Sequence, residues 1–170
     1  MKSADLKTIQ EPLKNKYKLD PGAALITLKA SSKISDGITC KVETGKSMIE
    51  AGLHPATGGD GLSVCSGDML LESLAACAGV TLKAVATAID FNLQDAVIQV
   101  EGDLDFRGTL SVDKNAPVGF KDIRLNFQLK TNEPQERIDS LIKLTERYCV
   151  VLQTLSKANH VARSVVLTKQ

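Results

Sequence analysis

The sequence predicts a single α+β unit, and three observations predict it. The stretch MLLESLAACAGVTLKAVATAI is apolar enough to read as a buried helix. Segments of alternating apolar and polar residues lie on both sides of it. After the last of these, apolar residues recur at spacings of three and four, as a further amphipathic helix requires. No internal repeat, linker or low-complexity tract divides the chain. Residues 1–170 therefore read as one domain, with residues 1–20 as an N-terminal helical extension.

Taken in order, residues 5–17 place Leu6, Ile9, Leu13 and Tyr17 at helical spacing, with Pro12 near a start or a kink. Residues 24–28, 38–42 and 48–49 alternate, are punctuated by Gly37 and Gly45, and predict a three-stranded meander. Residues 52–66 (GLHPATGGDGLSVCS) form a glycine-dense loop of a length usually reserved for function or mobility, and its GGDG stretch reads as a flexible lid. It lacks the Gly-Lys-Ser/Thr ending of a phosphate loop. Ser66 is the expected N-cap of the central helix, with Asp68 in the first turn. That helix runs to about Asp90. Its polar side chains Glu72, Lys83 and Thr87 fall within about 60° of one another at 100° per residue, so the rest should be enclosed by protein. Residues 95–108 and 120–131 alternate as two longer strands. Thr131-Asn132-Glu133-Pro134 marks the next helix start, over 134–148, with Ile138, Leu141, Ile142, Leu144 and Thr145 on one side. Another helix carries Cys149, Leu152 and Leu155, and residues 163–168 read as a final strand.

The 170 residues suffice for one sizeable core; 43% are hydrophobic and 24% charged, as in ordinary globular domains. Trp is absent and aromatics make up only 4%, so Leu, Ile, Val and Ala must build the core. A net charge of +1 with scattered basic residues argues against a nucleic-acid surface. The first residues lack the apolar segment of a secretory signal. The longest apolar helix contains Glu72 and Lys83, with no uninterrupted apolar run of about 18 residues, which argues against a membrane span. Four cysteines without an export signal imply a reducing, cytoplasmic setting, where thiols stay free or pair transiently.

Cys77 and Cys149 both fall in segments that read as buried helix, and neither belongs to a close Cys-x-x-Cys pair. Buried cysteines are commonly inert packing groups. Around Cys77, however, Ala75, Ala76, Ala78 and Gly79 leave room for a ligand or a second sulfur. Cys65, just before the central helix, is a rival nucleophile because exposed backbone N–H groups stabilise a thiolate; its plain alternative is a loop thiol. Cys40 reads as core. His54 in the glycine-rich loop could deprotonate a thiol or simply be solvated. His160 suits a helix C-terminus. Neither histidine has metal-ligand spacing with the cysteines, so neither a metal nor another cofactor is expected.

The segments SGDMLLESLAACAGVTLKAV around Cys77 and ERYCVVLQTL around Cys149 resemble those of the OsmC/Ohr family of thiol-dependent peroxidases. The likeness covers about residues 25–168. It implies the OsmC-like α+β fold, with antiparallel sheets wrapped around two central helices in an intertwined homodimer and active sites at the subunit boundary. It implies that Cys77 is the peroxidatic cysteine and Cys149 the resolving one. The implied substrate is an organic hydroperoxide, and the implied reductant a dithiol or a lipoylated protein. The family activates its thiol with an arginine held by a carboxylate. Here the arginines are Arg107, Arg124, Arg137, Arg147 and Arg163, so none precedes Cys77 where the organic-hydroperoxide branch carries its own. Gly67 stands near the carboxylate position, with Asp68 beside it and Glu72 a turn on, and Val150 replaces the proline after the second cysteine. Activation by a lysine, His54 or the field of a helix is expected instead. Two other functions share the fold: a hydrophobic-ligand binder and a redox sensor that forms the Cys77–Cys149 bond without turnover.

Overall fold

The computed structural model describes residues 2–19, 31–34, 39–43, 48–157, 159 and 161–165. Helix α1 (Ser3–Leu19) is longer than the apolar spacing predicts, with Pro12 inside it. Strands β1 (Ser31–Ile34), β2 (Thr39–Glu43) and β3 (Met48–Gly52) form an antiparallel meander, in which β2 and β3 fall at the segments expected at 38–42 and 48–49 and β1 was not expected. The strand expected at 24–28 lies outside the described residues. Strand β4 (Val64–Cys65) then pairs parallel to β3, a two-residue addition too short for any sequence period to reveal.

Strand β4 runs directly into α2 (Ser66–Ala88). Cys65, not Ser66, occupies the N-cap, and no side chain caps this end. The strand holds Cys65 in extended backbone, so the helix can begin only at the next residue. At the other end Asp90 takes a left-handed conformation (φ 49°), and the Phe91 N–H closes on the Ala86 carbonyl at 2.8 Å. Strands β5 (Asp95–Leu104) and β6 (Phe120–Lys130) form a long antiparallel hairpin. Strand β5 is shorter than expected. Asp105 accepts a hydrogen bond from the Arg107 N–H and starts a one-turn helix, α3 (Phe106–Thr109), where the alternation suggested more strand. One face of the hairpin lays Ala96, Ile98 and Val100 on the core. The other carries Arg124 bonded to Glu101 and Asp103, with Gln128 and Gln99 joined at 2.8 Å.

Helix α4 (Gln135–Tyr148) has Pro134 as its N-cap, and α5 (Val150–Leu155) follows after a single intervening residue. Residues 161–165 have no regular structure, so the final strand is not seen there; 166–168 and His160 lie outside the described residues.

Helices α4 and α2 run antiparallel in a common register. Arg137 donates to the carbonyls of Ile89 and Asp90 at 3.2 and 3.0 Å, capping the negative end of α2 with a cation. One turn on, fully buried Leu141 joins Leu82, Val85, Ala86 and Phe91 in one cluster. Two turns beyond that, Cys149 meets Leu74 and Ala78. Both helices rise about 1.5 Å per residue, so a register set by Arg137 at one end carries through to Cys149 at the other. Leu141→Ala should cost about 3 kcal/mol in chemical denaturation, the range for a large-to-small change at a sealed core position.

The expectation that α2 is enclosed nearly all round does not hold within one chain. Leu74, Ala78, Leu82, Val85 and Ala86 are buried, whereas Val80 is 73% and Leu70 36% exposed. Positions 70, 73, 77, 80 and 84 form one stripe at helical spacing that β5, α4 and α5 leave open, with Cys77 part-buried at its edge. By length and composition α2 is also apolar enough to cross a membrane; here it packs on β5, α4 and α5.

Candidate active site

The two cysteines singled out in the sequence come together. Cys77 lies midway along α2, and Cys149 is the hinge residue between α4 and α5, buried to 1% exposure. Cys149 is thus not inside a helix, as expected, but in an extended conformation (φ −71°, ψ 105°) between two of them. Its own N–H still closes α4 on the Thr145 carbonyl at 2.9 Å, and its carbonyl accepts from Gln153 at 2.9 Å. The Gln153 side chain reaches back to the Glu146 carbonyl at 3.0 Å, satisfying an acceptor that the break would otherwise strand.

The break matters because it aims backbone at sulfur. Residues Val150 and Val151 open α5, and their N–H groups hydrogen-bond to the Cys77 thiol. The Cys149 thiol and the Thr81 hydroxyl add two more bonds. Burial pushes the Cys77 thiol up, but these four neutral contacts outweigh it and hold the group below the ordinary thiol value. Cys149 goes the other way. Burial raises it first, and the neighbouring Cys77 adds to the rise. The pair is displaced in opposite directions, so Cys77 is the more readily ionised of the two thiols and Cys149 the less. Both are free thiols.

The other candidate residues lie elsewhere in the chain. Asp68 is exposed in the first turn of α2, about 13 Å along the axis from Cys77. Glu72 is exposed and about 140° around the helix from Cys77. His54 is the N-cap of a 3-10 turn (Pro55–Thr57); its Nδ1 accepts from the Ala56 N–H at 3.0 Å, and its ring stacks on Phe106 with centroids 4.9 Å apart. With Cys65, Asp68 and Phe120 it lines a separate cavity of about 340 Å³ at the start of α2. The loop expected as a lid is thus partly folded, its turn closed by Gly58 in a left-handed conformation. Within one chain none of these groups contributes to the Cys77 contacts. Nor does an arginine. Arg107, Arg124 and Arg137 pair with carboxylates, and Arg147 lies over the Tyr148 ring. Cys40 is in β2, opposite Ala51.

Sequence reasoning missed Thr81 and the two amides. The Cys77-to-Thr81 spacing of one helical turn was a usable signal for the hydroxyl. Nothing in ERYCVVLQTL marks a chain break, since the segment has neither glycine nor proline, so the amides carried no signal.

A long central helix under a hairpin, with one thiol in its middle and a second at the junction of the two helices packed on it, defines a thiol-bearing α+β domain. The family model described as OsmC-like protein matches residues 58–163, more than half of the chain, and the protein belongs to that family. Among solved structures, an OsmC-like protein from Mycoplasma pneumoniae is similar with a TM-score of 0.65 and 16% identity, over 77% of this chain and 88% of that one. An organic hydroperoxide resistance protein from Legionella pneumophila gives 0.60 and 18%, over 77% and 90%. An OsmC-like protein of unknown function from Vibrio cholerae gives 0.62 and 14%, over 76% and 94%. At these identities the likeness is one of fold. A comparison with curated proteins finds no match.

Proposed function

We propose that the protein is a thiol peroxidase that reduces organic hydroperoxides, acting in oxidative-stress defence. The observation that carries this reading is the contact between Cys77 and Cys149 with their thiols displaced in opposite directions. The Cys77 thiolate attacks the terminal oxygen of R–O–OH. The O–O bond breaks, the departing alkoxide takes a proton and leaves as alcohol, and Cys77 becomes a sulfenic acid. The Cys149 sulfur then attacks Cys77, its proton leaves with the hydroxyl as water, and a disulfide remains. An external dithiol or a lipoylated protein returns the pair to thiols by exchange. The neutral donors around Cys77 stand in for the family's arginine. The apolar surroundings, Leu74, Ala78, Val100 and Leu152 among them, suit an alkyl substrate better than hydrogen peroxide.

The open stripe on α2 is assigned to a second copy of the chain, in the intertwined homodimer that the family resemblance implies. Leu70 and Val80 are then its anchors, and Cys77 lies at the boundary. Val80→Lys, a change at a position exposed in one chain, should lower the assembly from dimer to monomer in sedimentation analysis. A wild-type protein that sediments as a monomer overturns the assignment.

The functional test follows loss of cumene hydroperoxide in the presence of a dithiol. Turnover supports the peroxidase. A Cys77–Cys149 disulfide formed without turnover indicates a redox sensor, and no sulfur oxidation with retained hydrophobic-ligand binding indicates a binder.

A further inference from the structure

The cavity of about 340 Å³ at the start of α2 plays no part in the proposed peroxidase cycle, since it lies about 18 Å along the helix axis from Cys77. Its apolar walls are Leu71, Leu104, Phe106 and Phe120, and it is lined as well by the Cys65 thiol and the His54 imidazole. Two glycines shape it. A Cβ on Gly102 would come within 2.6 Å of the Phe120 ring, so only bare backbone lets that ring close the wall. A Cβ on Gly67 would lie 3.6 Å from the Cys65 sulfur and 3.5 Å from Leu104 and Phe120, so a side chain there would occupy the space beside the thiol. Cys65 is free and half-buried, at the uncapped positive end of a 23-residue helix. The His54 ring is fixed on two sides. It stacks on Phe106, and its Nδ1 accepts the Ala56 N–H at 3.0 Å, which leaves the ring proton on Nε2. His54 is therefore a hydrogen-bond donor here and not a base for the thiol.

We propose that this cavity is a second ligand site, in which Cys65 captures small uncharged α,β-unsaturated carbonyl compounds. The apolar walls take the hydrocarbon part of the ligand, and His54 donates from Nε2 to its carbonyl oxygen. The Cys65 sulfur bonds to the β-carbon as the carbon–carbon π bond opens. The electron pair moves to the oxygen as an enolate, and the proton that the thiol gave up is returned through solvent to the α-carbon. Nothing is oxidised or reduced, so the addition needs no co-reactant and is independent of the state of Cys77 and Cys149. The imidazole decides the class of electrophile. A donor set beside the sulfur favours a ligand whose negative charge develops on oxygen, and a disulfide places that charge on sulfur, a weaker acceptor. Charge decides the rest. Asp103 also lines the cavity but is bonded to Arg124, whereas Asp68 is an exposed carboxylate that disfavours an anion. Small-molecule sites begin at roughly 300 Å³, so the volume suits a short chain or a single ring and not a long acyl chain.

The test treats the full-length protein with cyclohexenone and follows the adduct at each cysteine by peptide mass spectrometry. The rate at Cys65 should saturate as cyclohexenone is raised, because binding precedes bond formation. A rate that rises linearly throughout is that of a solvent-exposed thiol and overturns the proposal. Gly67→Leu fills the cavity and leaves both functional groups in place; it should abolish saturation and slow the Cys65 adduct about tenfold, with labelling of Cys77 unchanged. An unchanged Cys65 rate in folded Gly67→Leu overturns the site. His54→Phe keeps a ring to stack on Phe106 and removes the donor. It should slow cyclohexenone about tenfold relative to hydroxyethyl disulfide, a thiol reagent without a carbonyl. A purely structural role for His54 would slow both reagents alike, and that result overturns the carbonyl assignment. If leucine at position 67 disturbs folding, the ratio of the two reagents in His54→Phe decides. Hydroperoxide consumption is read separately, so this site and the peroxidase reading fail independently.

Discussion

Cys77→Ser is expected to reduce hydroperoxide consumption to the uncatalysed background, because the proposed cycle begins with attack by the Cys77 sulfur. Cys149→Ser should behave differently. Cys77 would still be oxidised once, so a single equivalent of hydroperoxide disappears, and the sulfenic acid accumulates where a dimedone adduct can trap it. Steady-state turnover with a dithiol should then fall by about tenfold or more, since the reductant must attack a sulfenic acid instead of a disulfide. A first turnover kept in Cys77→Ser and lost in Cys149→Ser would reverse the order of the two sulfurs. Loss of turnover in Cys65→Ser, with Cys77→Ser active, would move the chemistry to the cavity beside His54 at the start of α2.

The second large effect is in pH dependence. The Cys77 thiol is held below its ordinary value, so its charged form is favoured by the folded environment, and reactivity should rise with pH and level off earlier than for a free cysteine. Cys149 is held above its ordinary value, so its reactivity should rise only at higher pH. At pH 7 alkylation should therefore label Cys77 about tenfold or more faster than Cys149, with the 1% exposure of Cys149 acting in the same direction. Unfolding in denaturant should abolish the difference, because the donors belong to the fold. Labelling of both at one rate in the folded protein would remove the charge assignment and, with it, the order of the steps.

These expectations rest on a one-residue junction followed by a helix of only six residues, but one that is well anchored. Arg137 fixes α4 to the end of α2, Leu141 seals the middle, and Gln153 closes the break itself. The register of two antiparallel helices thus becomes a distance between two sulfurs.

What the residues alone determined follows from local periodicity. The apolar run of α2, the alternation of β5 and β6 and the spacing of Ile138, Leu141 and Ile142 on α4 each repeat with a period that burial imposes on a helix or a strand. Cys77 stood out by its small neighbours, and Cys149 by the second family segment. Three features needed the folded chain. Cys149 sits in a break that no glycine or proline announces, since packing of α5 against α2 turns the chain there and not a residue preference. Cys65 displaced Ser66 as the cap because pairing of β4 with β3 holds it extended. The donors to Cys77 are backbone amides and a hydroxyl, and amides are the same in every sequence. Charged side chains leave a trace in composition; a thiol whose ionisation is eased by backbone leaves none, and only tertiary structure could place it.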